Sequence, residues 1–181
     1  EGSEGDALAV HEMKRLEQGV WEYRECGDLY GVYYDFALQI DGETRITTDV
    51  YARACGINGK RSMAVDLRRT DPEGWEEDEA PEAGPEQVIY ETHVKEFSWD
   101  PAGGFPEEVR GKYRAFCCKD TTLYGDGAHP TGLSWLKELG VTHVQLMPVY
   151  DYGSVDEAGD PVQFNWGYDP MNWNVPEGSY S

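Results

Sequence analysis

Residues 131–151, TGLSWLKELGVTHVQLMPVYD, limit the fold more than any other stretch of the chain. Thr131 stands where a helix N-cap is expected, Leu133, Leu136 and Leu139 recur on one face, and Gly140 is placed to stop the helix. The run that follows is almost continuously apolar and of strand length, the pattern of a parallel strand covered on both faces. A second strand candidate, VIYETHVKEF, lies upstream at 88–97, so the order is strand, helix, strand, a βαβ unit. Two strands and one helix leave both faces and both edges of a sheet bare. The unit therefore predicts that more strands follow it.

The earlier part of the chain has a different grammar. Between Val20 and Leu67 the segments GVWEYREC, GVYYDFALQI, RITTDVYARAC and RSMAVDL read as short strands separated by GD, DG and NG turns. Tyr34, Phe36, Leu38 and Ile40 alternate with Asp35, Ala37 and Gln39, which predicts an antiparallel sheet or half of a β-sandwich. Residues 71–87, DPEGWEEDEAPEAGPEQ, hold eight acidic side chains, three prolines and no basic residue. Such a segment buries too little apolar surface to pack and is read as a linker. The expected organisation is a β-sandwich portion at 1–70, the acidic linker at 71–87 and an α/β portion at 88–181.

Charge narrows the partners. The 35 acidic and 15 basic side chains give a formal charge of −20, which repels phosphate backbones and anionic lipid, while a neutral sugar or peptide is indifferent to it. Nucleic acid is not expected as a partner, and no run approaches the ~18 apolar residues of a membrane span. Cys26, Cys55, Cys117 and Cys118 lack zinc-type spacing and are read as buried or free thiols, which favours a reducing, cytoplasmic setting. His93 and His143 have no third ligand at a recognisable spacing, and GINGK lacks the glycine gap of a phosphate loop. Neither a metal nor a cofactor is expected. The start, EGSEGDALAVHEMKRLEQ, carries no secretory signal and no initiator methionine, and VPEGSYS ends in mid-phrase, so the chain is expected to be a slice of something longer.

The densest motif is FNWGYDP at 164–170, with three aromatic rings, a glycine, a proline and an aspartate in seven positions. Together with YETHVKEFS, GKYRAF, TGLSWLKELGVTHVQLMPVYDYGSVDE and the ending FNWGYDPMNWNVPEGSYS, it resembles the type I pullulanases, starch-debranching members of the α-amylase superfamily. Upstream, GVWEYRECGDLYGVYYDF and TTDVYARACGINGKRSMAVDLRRTDPEGW resemble the later part of the starch-binding β-sandwich module of the same enzymes. The resemblance runs from about His11 to Ser181. It implies a mixed fold, a partial all-β immunoglobulin-like sandwich followed by the first βαβ portion of a (β/α)8 TIM-type barrel.

An activity is implied as well: hydrolysis of α-1,6-glucosidic linkages in pullulan, amylopectin or glycogen, with retention of configuration. Retaining hydrolysis needs a nucleophilic carboxylate and an acid/base carboxyl about 5 to 5.5 Å apart. In the family these lie on the fourth and fifth barrel strands, so no catalytic residue is expected in this chain. Asp151, Asp156 and Glu157 are read as loop acids of a very acidic protein. In such barrels the loops after the strands form the site, and a pyranose calls for flat rings beside polar groups. The resemblance implies that Tyr168 is the ring beneath the sugar where the bond breaks, with Asn165, Trp166 and Asp169 shaping its surroundings; Gly167 lets the backbone turn between the rings. Phe164 replaces the family's tyrosine and is expected to pack. Trp21, Tyr23, Tyr30, Tyr33 and Tyr34 are read as structural rings rather than a second glucan platform. The alternatives are a non-catalytic α-glucan-binding protein and an isoamylase-like or glycogen-branching relative.

Overall fold

The computed structural model describes residues 5–82 and 84–181. Its first part holds β1 (Lys14–Arg15), β2 (Trp21–Glu22), β3 (Tyr33–Tyr34), β4 (Phe36–Ile40), β5 (Glu43–Thr47) and β6 (Ser62–Met63). All pairings here are antiparallel: β1 with β2, β3 with β6, and β4 with β5. Register in the β4–β5 hairpin is set by Asp41 and Gly42, both at positive φ (52° and 81°), the geometry of a two-residue turn whose twist suits paired strands. Ile40 therefore faces Glu43 and Phe36 faces Thr47.

The strands are shorter than the alternation suggests, for local polar reasons. RITTDVYARAC leaves the sheet after Thr47 because Asp49 folds the backbone back: its carboxylate accepts the Tyr51 N–H at 2.8 Å and the Tyr34 hydroxyl at 2.7 Å, while its own N–H donates to Ser62 Oγ at 2.8 Å. A short polar side chain that bonds the backbone two residues on competes with a strand ladder. Asp35 separates β3 from β4 and accepts from Arg61 Nε at 2.8 Å. Leu38, Ile40 and Ile46 remain 43–65% exposed.

Residues 71–82 and 84–87 are exposed, with one short 3-10 turn at Trp75–Glu77. Beyond them come β7 (Ile89–Thr92), α1 (Gly132–Glu138), β8 (His143–Leu146), β9 (Tyr150–Tyr152) and β10 (Pro170–Pro176). β7 and β8 pair in parallel, Ile89 opposite His143 and Thr92 opposite Leu146, with α1 in the crossover as the βαβ reading requires. Thr131 precedes the helix in extended conformation without capping it through its side chain; its hydroxyl donates instead to Gly103 O at 2.6 Å. Gly140, at φ 74°, ends the helix as expected. Leu136 is buried, but Leu139 is 51% exposed, and every residue of β8 is exposed. Among the described residues β8 has β7 as its only strand neighbour, so the apolar run lacks the two-sided cover that its composition suits.

The core gathers Val94, Tyr152, Val155 and Tyr180, with Tyr113, Phe116 and Val149 packed against it. β9 and β10 pair antiparallel beside it. The segment 48–61 docks on this hairpin: Thr48 Oγ1 donates to Asn172 Oδ1 at 3.0 Å, and Asn172 Nδ2 donates to Gly59 O at 3.1 Å. The stretches on either side of the acidic segment are thus in direct contact. No helix among the described residues is long and apolar enough to cross a membrane.

Candidate functional site

FNWGYDP occupies the connection between β9 and β10, and each of its residues has an assigned place. Asn165 organises the turn: its Oδ1 accepts the Gly167 N–H at 2.9 Å and its Nδ2 donates to Asp169 Oδ1 at 2.8 Å. The other Asp169 oxygen accepts the Ser154 hydroxyl. These bonds, Ser154's first, hold the Asp169 carboxyl below the usual carboxylate range. Gly167 is at φ 86°, and a Cβ there would sit 2.7 Å from the Pro148 carbonyl oxygen. Only glycine meets both conditions without strain.

With the backbone so held, the rings divide. Phe164 packs on His93, ring centroids 4.7 Å apart, and Trp166 stands edge-on to both Phe164 and His93 at 5.2 and 6.0 Å. Trp166 is nevertheless 56% exposed and Tyr168 70% exposed. Phe164 thus has the packing contact expected for it. The four residues singled out from the sequence, Asn165, Trp166, Tyr168 and Asp169, lie together on one short loop whose outer surface carries two rings beside a carboxylate. A flat ring next to hydrogen-bonding groups suits the apolar face and polar rim of a sugar.

His93 is 3% exposed and is the anchor of this loop. Its Nδ1 accepts the Lys95 N–H at 3.2 Å, which leaves the ring proton on Nε2 to donate to Asn165 O at 2.8 Å. The Tyr180 hydroxyl lies 3.0 Å from the same nitrogen, and burial raises that hydroxyl's pKa.

A second cluster forms where the 48–61 segment meets the β9–β10 hairpin. Asp151 and Glu177 are 1% and 0% exposed, and one carboxylate oxygen from each of Asp151, Glu157 and Glu177 lies within 4.8 Å of the others. Asp151 and Glu157 border a cleft of about 280 Å³ that Tyr33, Cys55 and Val175 also line. Glu177 accepts the N–H groups of Ser179 and Tyr152 at 2.9 and 3.1 Å, Glu157 accepts those of Asn58 and Gly178 at 2.6 and 3.1 Å, and Asp151 accepts the Asn172 amide. By proximity alone the trio is where a cation could lodge among the described residues. Its oxygens are committed to N–H donors, however, which suits a bracket joining two segments rather than a nucleophile. Burial, with Glu157 and Glu177 adding to it and Asn172 opposing, raises Asp151 to about 6; burial likewise raises Glu177 and pushes the Cys55 thiol up to about 12, with Asp151 contributing.

Asp151, expected as one of the chance loop acids of a very acidic protein, lies in β9 and is buried. The sequence does not single out Ser154 or Lys95. Neither a serine in a glycine-rich acidic loop nor a lysine three residues past the end of β7 has a spacing that announces its partner. His143 is exposed beside Thr142 Oγ1 at 2.8 Å, far in role from His93. All four cysteines are free thiols. Of the upstream rings, Tyr34 and Phe36 meet edge-on at 5.8 Å, Tyr23 stacks on His11 at 4.5 Å, and Tyr30 lies under the Arg69 guanidinium at 4.8 Å.

No family model matches the chain. Individual proteins do. The chain is 39% identical over 171 residues to a pullulanase of Bacillus subtilis, an alignment covering 94% of this chain and 23% of that protein. Among solved structures, a pullulanase from Bacillus acidopullulyticus superposes with a TM-score of 0.90 at 42% identity, covering 99% of this chain and 22% of that one. A pullulanase from Paenibacillus barengoltzii, solved in complex with maltohexaose and α-cyclodextrin, gives 0.92 at 42% identity over 99% and 28%. The chain spans between a fifth and a third of the length of these relatives. By sequence and by fold, it is a homologue of the pullulanases, matching one segment of those longer proteins over nearly its whole length.

Proposed function

We propose that this chain is the part of a starch-debranching glycoside hydrolase that carries one wall of its glucan site. In this reading residues 1–70 are the later portion of a starch-binding β-sandwich module, 71–87 link it to the barrel, and 88–181 open a (β/α)8 barrel, with β7 and β8 as its first two strands. The enzyme cleaves α-1,6-glucosidic linkages in pullulan, amylopectin or glycogen by a retaining route, and its two catalytic carboxylates come from later strands. Tyr168 lies beneath the sugar at the point of cleavage, Trp166 borders it, and Asp169 and Asn165 present the polar rim.

The observation that carries the reading is the 164–170 loop: two exposed rings on a backbone fixed by Asn165, Gly167 and Asp169. The parallel pairing of β7 with β8, whose residues are exposed throughout, supports the barrel. Solved relatives hold maltohexaose, maltotetraose and maltotriose, which supports an α-glucan as partner.

The test is made in a longer polypeptide that contains this chain. Tyr168→Ala is expected to lower pullulan cleavage by orders of magnitude with the fold intact, and wild-type turnover in that variant removes Tyr168 from the site. The 181-residue chain alone is expected to release no reducing sugar from pullulan. Retarded migration in amylopectin gels, with no cleavage by any longer polypeptide, would favour a non-catalytic glucan binder.

A further inference from the structure

We propose that His93 and Lys95 are positioning residues that lock the glucan-contacting loop by capturing three of its backbone carbonyls from one side; the sugar part of this proposal rests on the function proposed above. The three oxygens belong to Pro161, Gln163 and Asn165. Lys95 Nζ donates to Pro161 O at 2.5 Å and to Gln163 O, and His93 Nε2 donates to Asn165 O at 2.8 Å. Lys95 and His93, two residues apart in sequence, thereby hold the carbonyls of 161, 163 and 165 across the turn that the Gln163 N–H closes on Asp160 O at 3.1 Å.

Both anchors are themselves fixed. Lys95 is 7% exposed, its Nζ lies 4.4 Å from the centre of the Trp99 ring, and its backbone N–H bonds His93 Nδ1. That last bond couples the two: it sets the imidazole tautomer that presents an N–H to Asn165. A buried ammonium carries a desolvation cost that neutral carbonyls and a ring face only partly offset, and burial lowers its pKa accordingly. A methionine would fill the same space without that cost. The ammonium is explained if what matters is where it holds residues 161–165, one bond before Trp166 and three before Tyr168.

The experiment is residue-resolved amide hydrogen exchange on the full 181-residue chain, paired with maltotetraose titration of a longer polypeptide that contains it. In the wild type, the Gly167 amide and its neighbours at 162–167 should be protected comparably to Met147, whose N–H bonds Thr92 O at the β7–β8 pair. Lys95→Met and His93→Phe should speed exchange at 162–167 at least tenfold while leaving Met147 within threefold, and His93→Gln, which keeps a donor near Nε2, should restore most of the protection. Affinity for maltotetraose should fall at least tenfold in Lys95→Met and in His93→Phe, and stay within threefold of wild type in His93→Gln. Should His93→Phe not fold, Lys95→Met and His93→Gln decide. The proposal is overturned by rapid wild-type exchange at 162–167, by unchanged exchange in Lys95→Met, by equal acceleration everywhere, or by a loosened loop that binds as well as before. If the longer wild-type polypeptide does not bind maltotetraose, the sugar reading of this loop fails, while the exchange pattern still decides whether the two residues lock it.

Discussion

Asn58 and Glu157, 99 positions apart, hold each other by two hydrogen bonds: Asn58 N–H donates to Glu157 Oε2 at 2.6 Å and Glu157 N–H donates to Asn58 Oδ1 at 2.8 Å. This exchange is the hinge pin of the contact between the 48–61 segment and the β9–β10 hairpin. Asn58 Nδ2 adds a bond to Asp156 Oδ1 at 3.0 Å. Asn58 adopts φ 58°, and Gly59 after it adopts φ 62°, where a Cβ would overlap the Asp151 carboxylate and sit 2.6 Å from Asn172 Nδ2. Asparagine tolerates the left-handed region better than other side chains with a Cβ, so the NG pair satisfies conformation and recognition together.

Replacing Asn58 separates those two contributions. Asn58→Ala loses the side-chain bonds to Glu157 and Asp156 and strains the backbone, and is expected to cost about 2 to 3 kcal/mol. Asn58→Gly loses the same bonds but relieves the strain, and should cost about 1 kcal/mol less. Urea unfolding midpoints at constant m-value measure both. Equal losses in the two variants would show that the conformation contributes nothing.

The buried Asp151 makes the same contact sensitive to pH. Its pKa is raised to about 6 from an unfolded value of about 3.9, so the folded state binds the proton more tightly. The resulting stabilisation is fully present below about pH 3.9 and is lost as pH rises through about 6. Many other acids titrate in a chain of charge −20, so the readout is a difference. Between pH 7 and pH 5 the stability of wild type relative to Asp151→Asn should rise by about 1 kcal/mol. A difference that stays flat over that interval would mean the site is charged throughout.

How much of this was legible follows from which forces leave a trace in sequence. The β7–α1–β8 unit was readable because an apolar run of strand length on either side of a leucine-spaced helix dictates the parallel crossover, although only Leu136 of the three leucines is buried and β8 stays exposed, and the loop around Asn165 because its ring, glycine and aspartate content is dense. The end of β5 was not, since Asp49 takes the chain out of the sheet through bonds to Tyr51, Tyr34 and Ser62, and an aspartate among 35 acids carries no mark of that. Asp151 was misplaced for the same reason: a buried carboxylate and a solvated one are the same letter. Ser154 and Lys95 act on partners that become neighbours only when the 153–166 loop closes, so no spacing announces them.

Asp169 offers a probe of the loop that leaves the core untouched. Ser154 and Asn165 hold its carboxyl low, so the ionised form is favoured in the folded loop; this preference is present above the ordinary carboxylate pKa and is lost as pH falls through the lowered one. At neutral pH, Ser154→Ala should raise the Asp169 pKa, measured by carbon-detected NMR titration, with the thermal midpoint changed by no more than a few degrees. An unmoved titration would show that the Ser154 hydroxyl does not hold the carboxylate in solution.

Gly167 is where conformation and proximity are hardest to satisfy at once. An alanine at φ 86° enters the region that L-residues avoid, at a cost of roughly 1 to 2 kcal/mol, and its methyl would also meet Pro148 O at 2.7 Å. That neighbour is backbone, next to the Val149 that packs on the core, so the loop must move rather than the strand. The shift would break the Gly167 N–H bond to Asn165 Oδ1 and pull Asn165 Nδ2 from Asp169, scattering Trp166 and Tyr168 while leaving the core around Val94 and Tyr152 in place. Gly167→Ala is therefore expected to weaken maltotetraose binding at least tenfold with a loss of about 2 to 3 kcal/mol in stability. Comparison with Tyr168→Ala in the same titration separates the causes: the tyrosine variant removes one exposed ring from a fixed loop and should lose affinity at unchanged stability. If Gly167→Ala binds like wild type, the close approach to Pro148 does not set the loop's shape, and the rings find the sugar without it.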